Sequence, residues 1–259
     1  MGLFRLANRP SATLRGLTMA AIQREYYKWF SPHLHRDMEL LVFGGSGSGN
    51  PVPAIAFPTA RGRFFELEDT GMVQVVAPKL ERGEIQIFCV DNLPVWNNPD
   101  LPGDEKIAQQ LQYEAYVLEE VLPLIHKGRH HPHVATAGFG FGGYHAVNMA
   151  LRHPDRFQSF LSLGGTFDVT DRLNGHMDEA TYLNLPTYYI PNLVDAWYLD
   201  RYRHNTYILA TGEEDTCRGA NEKMAAVLRA RQIPCRLDVW GSGSGRSWDC
   251  WQKMLRNYL

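Results

Sequence analysis

The chain alternates between two kinds of apolar pattern. Short runs of four to six β-branched and apolar residues, bounded by Gly, Pro or Asp, predict strands at Met38–Phe43, Ala54–Phe57, Ile85–Val90, Val134–Ala137, Ser159–Leu163, Thr206–Ala210 and Cys235–Val239. Between them lie longer stretches with helical spacing. Asp104–Lys127 is the longest, with Leu111, Ala115, Leu118 and Leu122 expected on its apolar face. Tyr144–His153 stops before Pro154, where a helix is expected to end, and Asn221–Arg231 and Trp248–Leu259 complete the set. Strands that alternate with helices imply a mainly parallel sheet covered on both faces, an α/β fold. The apolar segments between Arg24 and Phe43 follow each other too closely for a helical crossover, so they are expected to pair antiparallel at the sheet edge. Residues 1–259 suit a single domain with a sizeable core.

Composition narrows the function more by exclusion than by assignment. Charged residues make up 21% and the formal net charge is -2, so no overall field draws the protein to nucleic acid or to anionic lipid. No apolar run is long enough to span a bilayer. Met1–Leu17 is basic without a continuous apolar core, which reads against a secretory signal. Cys89, Cys217, Cys235 and Cys250 fit neither a zinc site nor a disulfide framework, and reduced thiols point to the cytoplasm. The Gly/Ser-rich stretch Gly44–Asn50 lacks the Gly-Lys-Ser/Thr ending of a phosphate-binding loop. His126, His130, His131 and His133 cluster in a helix-to-strand loop without neighbouring acids, so no metal is assigned there. No cofactor is expected.

The segment richest in chemistry is Gly138-Phe139-Gly140-Phe141-Gly142-Gly143, which leads from a strand into a helix. Two mechanisms use such a segment. Gly138, Gly140 and Gly143 satisfy the dinucleotide-binding spacing, with Asp168 as the candidate ribose acid. The same glycines also satisfy the nucleophile elbow, Gly-x-Ser-x-Gly, with Gly140 in place of serine. Spacing alone does not separate the two.

Several further stretches share a resemblance. Gly142-Gly143-Tyr144-His145-Ala146 and Ala150–Phe157, Phe57–Thr59 through Met72, Phe88–Asp91, Tyr113–Pro123, Ala210–Asp215, Leu237–Trp240 and Trp248–Leu259 together resemble putative esterases of the esterase D type. The resemblance runs from about Glu25 onward and implies an α/β-hydrolase fold. It places the family serine on Gly140 and the family acid on Asp215. Trp248 sets the register of the last motif, so the family histidine falls on Arg246. A glycine offers no nucleophile, and a guanidinium stays protonated and takes up no proton. The resemblance therefore implies a degenerate esterase, a pseudoenzyme that serves as a binding or assembly subunit. An ester hydrolase with non-standard catalytic residues and a dinucleotide binder remain the alternatives.

Backbone donors at Phe141 and near Ala60 or Arg61 are expected to keep an oxyanion-type hole. Asp215 is expected to pair with Arg246 in place of the lost histidine. Trp96, Trp197 and Trp248 are candidates to line the cleft, with Trp96 and Trp197 in loops above the strand ends. Expected partners are another protein or a second copy of the chain, and a small molecule in the old cleft.

Overall fold

A computed structural model of the protein describes residues 4–6, 22–45, 50–127 and 131–258. Most of the basic stretch Met1–Leu17, the loop residues Ser46–Gly49 and His130 of the histidine cluster lie outside the described residues.

The apolar runs assemble into one nine-stranded sheet in the order β1-β2-β3-β5-β4-β6-β7-β8-β9. The strands are β1 Phe4–Leu6, β2 Arg24–Ser31, β3 Arg36–Phe43, β4 Val52–Phe57, β5 Ile85–Val90, β6 Ala135–Phe139, β7 Ser159–Leu163, β8 Thr206–Gly212 and β9 Arg236–Trp240. From β5 to β9 every neighbouring pair is parallel; β2 and β3 form the antiparallel edge pair expected from the sequence, and β1, not expected, adds antiparallel to β2. Alternate residues feed two cores, one on each face. On β3, Met38, Leu40 and Val42 enter one core while Leu41 and Phe43 enter the other. On β5, Phe88 and Val90 divide from Ile87 and Cys89 in the same way.

Strand order fixes where a ligand can sit. The chain leaves β4 toward β5 on one side, whereas it leaves β6 toward β7 on the other. Connections that diverge from adjacent parallel strands open a crevice at their carboxyl ends. The loops after β4 and β6 flank that crevice. These are the loop that carries Ala60 and Arg61 and the turn at Gly140.

Helical structure departs from the sequence reading in three places. The long helix runs Gly103–Tyr116 and passes through a π-helical turn, Val117–Val121, before ending at Ile125. Leu122 is buried as expected and Leu118 packs partly buried against the core, whereas Leu111 is exposed; the rest of the buried face is Ile107, Gln110, Tyr113, Glu114, Tyr116, Val117 and Val121. The tyrosine rings choose the face. Tyr113 Oη finds Asp91 O at 2.7 Å, and a wider turn advances the phase of the residues that follow. Three short helices, Glu66–Asp69, Met72–Val75 and Ala77–Glu81, fill the β4–β5 connection. The β7–β8 connection carries Glu179–Leu183, Pro186–Tyr189 and Ala196–His204. Trp197 thus sits in a helix and not in a loop.

A buried charge cluster ties the long helix to the helix after β6, Phe141–Arg152. Arg152 Nε and Nη2 donate to Glu114 Oε2 and Oε1 at 2.7 and 2.9 Å, and His153 Nε2 lies 2.9 Å from Oε1. Burial pushes the Glu114 carboxyl up, but the hydrogen bonds from His153 and Arg152 and their charge outweigh it and bring it to about 2. A carboxyl lowered by folding stabilises above its unfolded value near 4.5 and loses that contribution as pH falls toward 2. Glu114→Ala strands the Arg152 guanidinium and is expected to cost about 3–5 kcal/mol. Urea denaturation at pH 7 checks this, and a loss under 1 kcal/mol contradicts it.

Candidate functional site

β6 ends in the turn that places Gly140 at the start of the elbow helix, with φ 57° and ψ -116°. A strand-to-helix turn of this kind is what the nucleophile-elbow reading expects, and glycine adopts it without the cost a side chain carries. Neighbouring glycines are fixed by packing. A Cβ on Gly142 would lie 2.2 Å from Phe57 O and 2.3 Å from Pro58 O, and one on Gly138 would lie 2.0 Å from Gly142 O. A Cβ on Gly143 would lie 2.3 Å from Ser162 Oγ, so the buried Ser162 backs this helix from β7.

These contacts do not favour the dinucleotide reading. Two carbonyl oxygens close over Gly142, where a pyrophosphate would need donors and space. Asp168 is engaged locally. Its Oδ1 accepts from Thr170 N and Oγ1 at 3.2 and 2.7 Å, and its Oδ2 pairs with Lys223 at 3.5 Å.

The oxyanion-loop side is held from beneath. Glu66 accepts from Thr59 N and Oγ1, each at 2.7 Å. Ala60 O accepts from the side-chain amides of Asn92 and Asn97. The turn closes with Gly62 N–H on Thr59 O at 3.0 Å. On the elbow side Gly143 N–H donates to Gly140 O at 3.1 Å. The loop after β4 and the turn at Gly140 thus flank the crevice from its two sides.

Arg246 reaches the elbow. Its Nη2 lies 2.7 Å from the point where a Cβ on Gly140 would start, and its Nη1 rests against Cys217 Sγ. The guanidinium thus stands where a side chain on residue 140 would project. Asp215 is buried, with Oδ1 accepting from Cys217 N at 2.8 Å. Its Oδ2 has no hydrogen-bond partner, and neither does the nearby Trp251 Nε1. Both atoms face Gly164, at 2.5 and 3.0 Å from the position of its Cβ. The expected Asp215–Arg246 ion pair does not form. Asp215 sits deep beside Gly164, while exposed Arg246 extends from a Gly/Ser loop over Gly140 and toward the thiol. No histidine is hydrogen-bonded to Asp215 among the described residues. The last one in the chain, His204, contacts Asp200 O on another helix.

The three tryptophans separate. Trp248 packs against Trp251 at 5.0 Å and Phe139 at 5.9 Å, next to the elbow strand. Trp96, in the turn Pro94–Asn97, is buried against Phe141 and Tyr144, each at 5.7 Å, and backs the cleft from within the core. Trp197 stacks with Arg201 at 3.8 Å on the outer helix Ala196–His204, and its ring contacts are with Tyr198 and Arg201, not the elbow.

Two features of the site, the placement of Arg172 and the cage around His145, were not legible in the sequence. Arg172 lies over the Phe141 ring at 4.8 Å and donates to Trp96 O at 3.1 Å. His145, one turn into the elbow helix, sits in a cage of Phe57, Tyr113, Phe141 and Tyr144 with both ring nitrogens unpartnered. Only the aromatic spacing around Tyr144-His145 hinted at the cage. Among the described residues no group of three or more His, Cys, Asp or Glu could hold a metal ion, and no helix is long and apolar enough to cross a membrane.

Comparison with known proteins agrees with this geometry. The family model described as putative esterase matches residues 98–258. No curated protein matches the chain. Among solved structures the fold is similar to a ferulic acid esterase at 20% identity and TM-score 0.73, covering 91% of this chain and 96% of that one. It is also similar to an S-formylglutathione hydrolase from Agrobacterium tumefaciens, at 14% identity and TM-score 0.72 over 92% of this chain and 93% of that one. A CE1 ferulic acid esterase from Anaeromyces mucronatus aligns at 12% identity and TM-score 0.69, covering 95% and 92%. At these identities the structures establish the fold, and the match over residues 98–258 establishes the family. The chain belongs to the putative esterase family.

Proposed function

We propose that this chain is a catalytically silent esterase relative that keeps the family cleft for binding, either of a small molecule or as part of an assembly. One observation carries the reading. The elbow turn is intact at Gly140, and the Arg246 guanidinium occupies the space into which a nucleophilic side chain would project. A permanent cation with five donors and no acceptor does not accept a proton from serine or water. Asp215 has no imidazole to orient, so the base is missing together with the nucleophile. What remains is the crevice, whose expected backbone donors at Phe141 and near Ala60 or Arg61 suit it to holding an oxygen-bearing group without turning it over.

A second reading, ester hydrolysis through a substituted nucleophile, rests on Cys217. Its thiol lies at the start of the helix Arg218–Ala230 and touches Arg246. It lacks a neighbouring base, which places this reading second. Turnover of a panel of short acyl p-nitrophenyl esters separates the two. The native protein is expected to match the uncatalysed rate, and Asp215→Ala is expected to leave that rate unchanged. Saturable turnover that falls in Asp215→Ala or Cys217→Ala overturns the proposal.

A further inference from the structure

A second concave site opens beside the oxyanion loop. It is a cleft of about 410 Å³ lined by Arg36, Ala60, Arg61, Arg63, Asn92 and Asn97, with Asp91 at its base. Its residues come from three places along the chain, the start of β3, the loop after β4 and the end of β5. All three meet at the carboxyl ends of the parallel strands, where α/β folds receive ligands. Ala60 and Arg61 belong both to this cleft and to the loop above the elbow, so the two sites are contiguous.

The charges are unevenly matched. Arg63 is held by two carboxylates, with Nε on Asp91 Oδ1 and Nη2 on Glu39 Oε2, each at 2.7 Å. Asp91 Oδ1 also accepts from Phe64 N and Asn92 N, and Glu39 from Tyr26 Oη, so the Asp91 carboxylate, which lines the cleft, is held chiefly through Oδ1. Arg36 donates only to a neutral carbonyl, Asn92 O, at 3.0 Å. Arg61 is exposed and makes no ion pair among the described residues. Three arginines therefore line one cleft, and two of them, Arg36 and Arg61, make no ion pair among the described residues. The guanidinium's planar fork of N–H donors is what lets arginine recognise carboxylate or phosphate bidentately.

We infer that the cleft formed by Arg36, Arg61 and Arg63 binds the oxyanion of a small molecule, a phosphate or carboxylate group, whose remainder extends past Ala60 toward the elbow. The site is independent of whether the elbow is silent. If the protein proves to hydrolyse esters, the same cleft selects acidic substrates.

Calorimetric titration of the full-length protein with inorganic phosphate, and separately with acetate, at fixed ionic strength tests this. Saturable binding of at least one anion is expected. Arg36→Gln and Arg61→Gln should each weaken it tenfold or more, as the loss of a charge-assisted hydrogen bond implies. Arg203→Gln, on the outer helix, should leave it unchanged. Phosphate binding tenfold tighter than acetate assigns a phosphoryl group, and the reverse assigns a carboxylate. Absence of saturable binding to both anions overturns the inference. So does binding that is lost in Arg246→Gln but kept in Arg36→Gln and Arg61→Gln, because that places the anion over Gly140. Arg61 is exposed and structurally unencumbered, so Arg61→Gln stays folded and remains a fair test.

Discussion

Lowering the pH from 7 to 5 is expected to remove about 2 kcal/mol of folding stability through His145 alone. The residue is 2% exposed, its cage is aromatic, and neither ring nitrogen has a partner. Burial alone drives its pKa from 6.5 down to about 3. In the unfolded chain the imidazole takes up a proton near pH 6.5, whereas in the folded protein it stays neutral. Stability is therefore full above pH 6.5 and is lost progressively as pH falls toward 3. Across the whole interval the loss reaches about 5 kcal/mol, comparable with the entire stability of many domains. Glu114 adds its own loss only below about 4.5, so between pH 7 and 5 the loss belongs to His145, and the two overlap only further down. His145→Phe keeps a ring in the cage and removes the titration. Urea denaturation of both proteins at pH 7 and pH 5 should show the native protein losing about 2 kcal/mol more than the variant between the two. Equal losses would show that the imidazole is protonated inside the fold and that the cage is not closed.

The second large effect is a gain. Gly140→Ser/Arg246→His is expected to hydrolyse short acyl esters at least about 10²-fold faster than the native protein, the lower end of what a positioned general base contributes. Gly140 already holds the elbow conformation, and the side chain that contacts the new Cβ position, Arg246, is removed in the same variant. Asp215 Oδ2 is buried and without a hydrogen-bond partner, able to accept an imidazole N–H. A serine in this turn carries backbone strain of about 1–3 kcal/mol, so some loss of stability should accompany the gain. Adding Asp215→Ala should abolish the new activity. A folded double variant with no turnover would mean that residue 246 does not stand where the family's base stands.

The sheet was legible because its strands are short, apolar and bounded by turn residues, and period-two alternation is local information. β3 shows this, with every residue from Met38 to Phe43 except Glu39 buried in one core or the other. Helices were less legible where Gly or Pro cut the pattern short. Gly71 and Pro78 divide the β4–β5 helices, and Pro186 and Pro191 divide the β7–β8 segment. The long helix was misphased at Leu111 because its buried face there is built from tyrosines and a satisfied carboxylate, residues that a hydropathy pattern assigns to the surface.

In the site, the glycine run and the Trp248 register pointed to Gly140 and Arg246, because both are properties of spacing. Where the guanidinium points is not. Charge complementarity suggested Asp215, but depth decides the matter. Asp215 is buried beside Gly164, and Arg246 reaches across the surface to Gly140 and Cys217. The arginine cleft was hidden for a related reason. Arg36, Arg61 and Arg63 stand on separate segments, and only the pairing of β3 with β5 and of β4 with β5 brings them together.

The central claim is that residue 140 and its surroundings hold no activated nucleophile. Intact-mass analysis after incubation with excess p-nitrophenyl acetate, quenched in acid, tests it most directly. The native protein is predicted to keep its unmodified mass, while Gly140→Ser/Arg246→His gains one acetyl group that maps to residue 140. A stoichiometric acetyl group on the native chain, mapped to Cys217 or to a serine of the Ser242–Ser247 loop, would contradict the account and identify the nucleophile it denies.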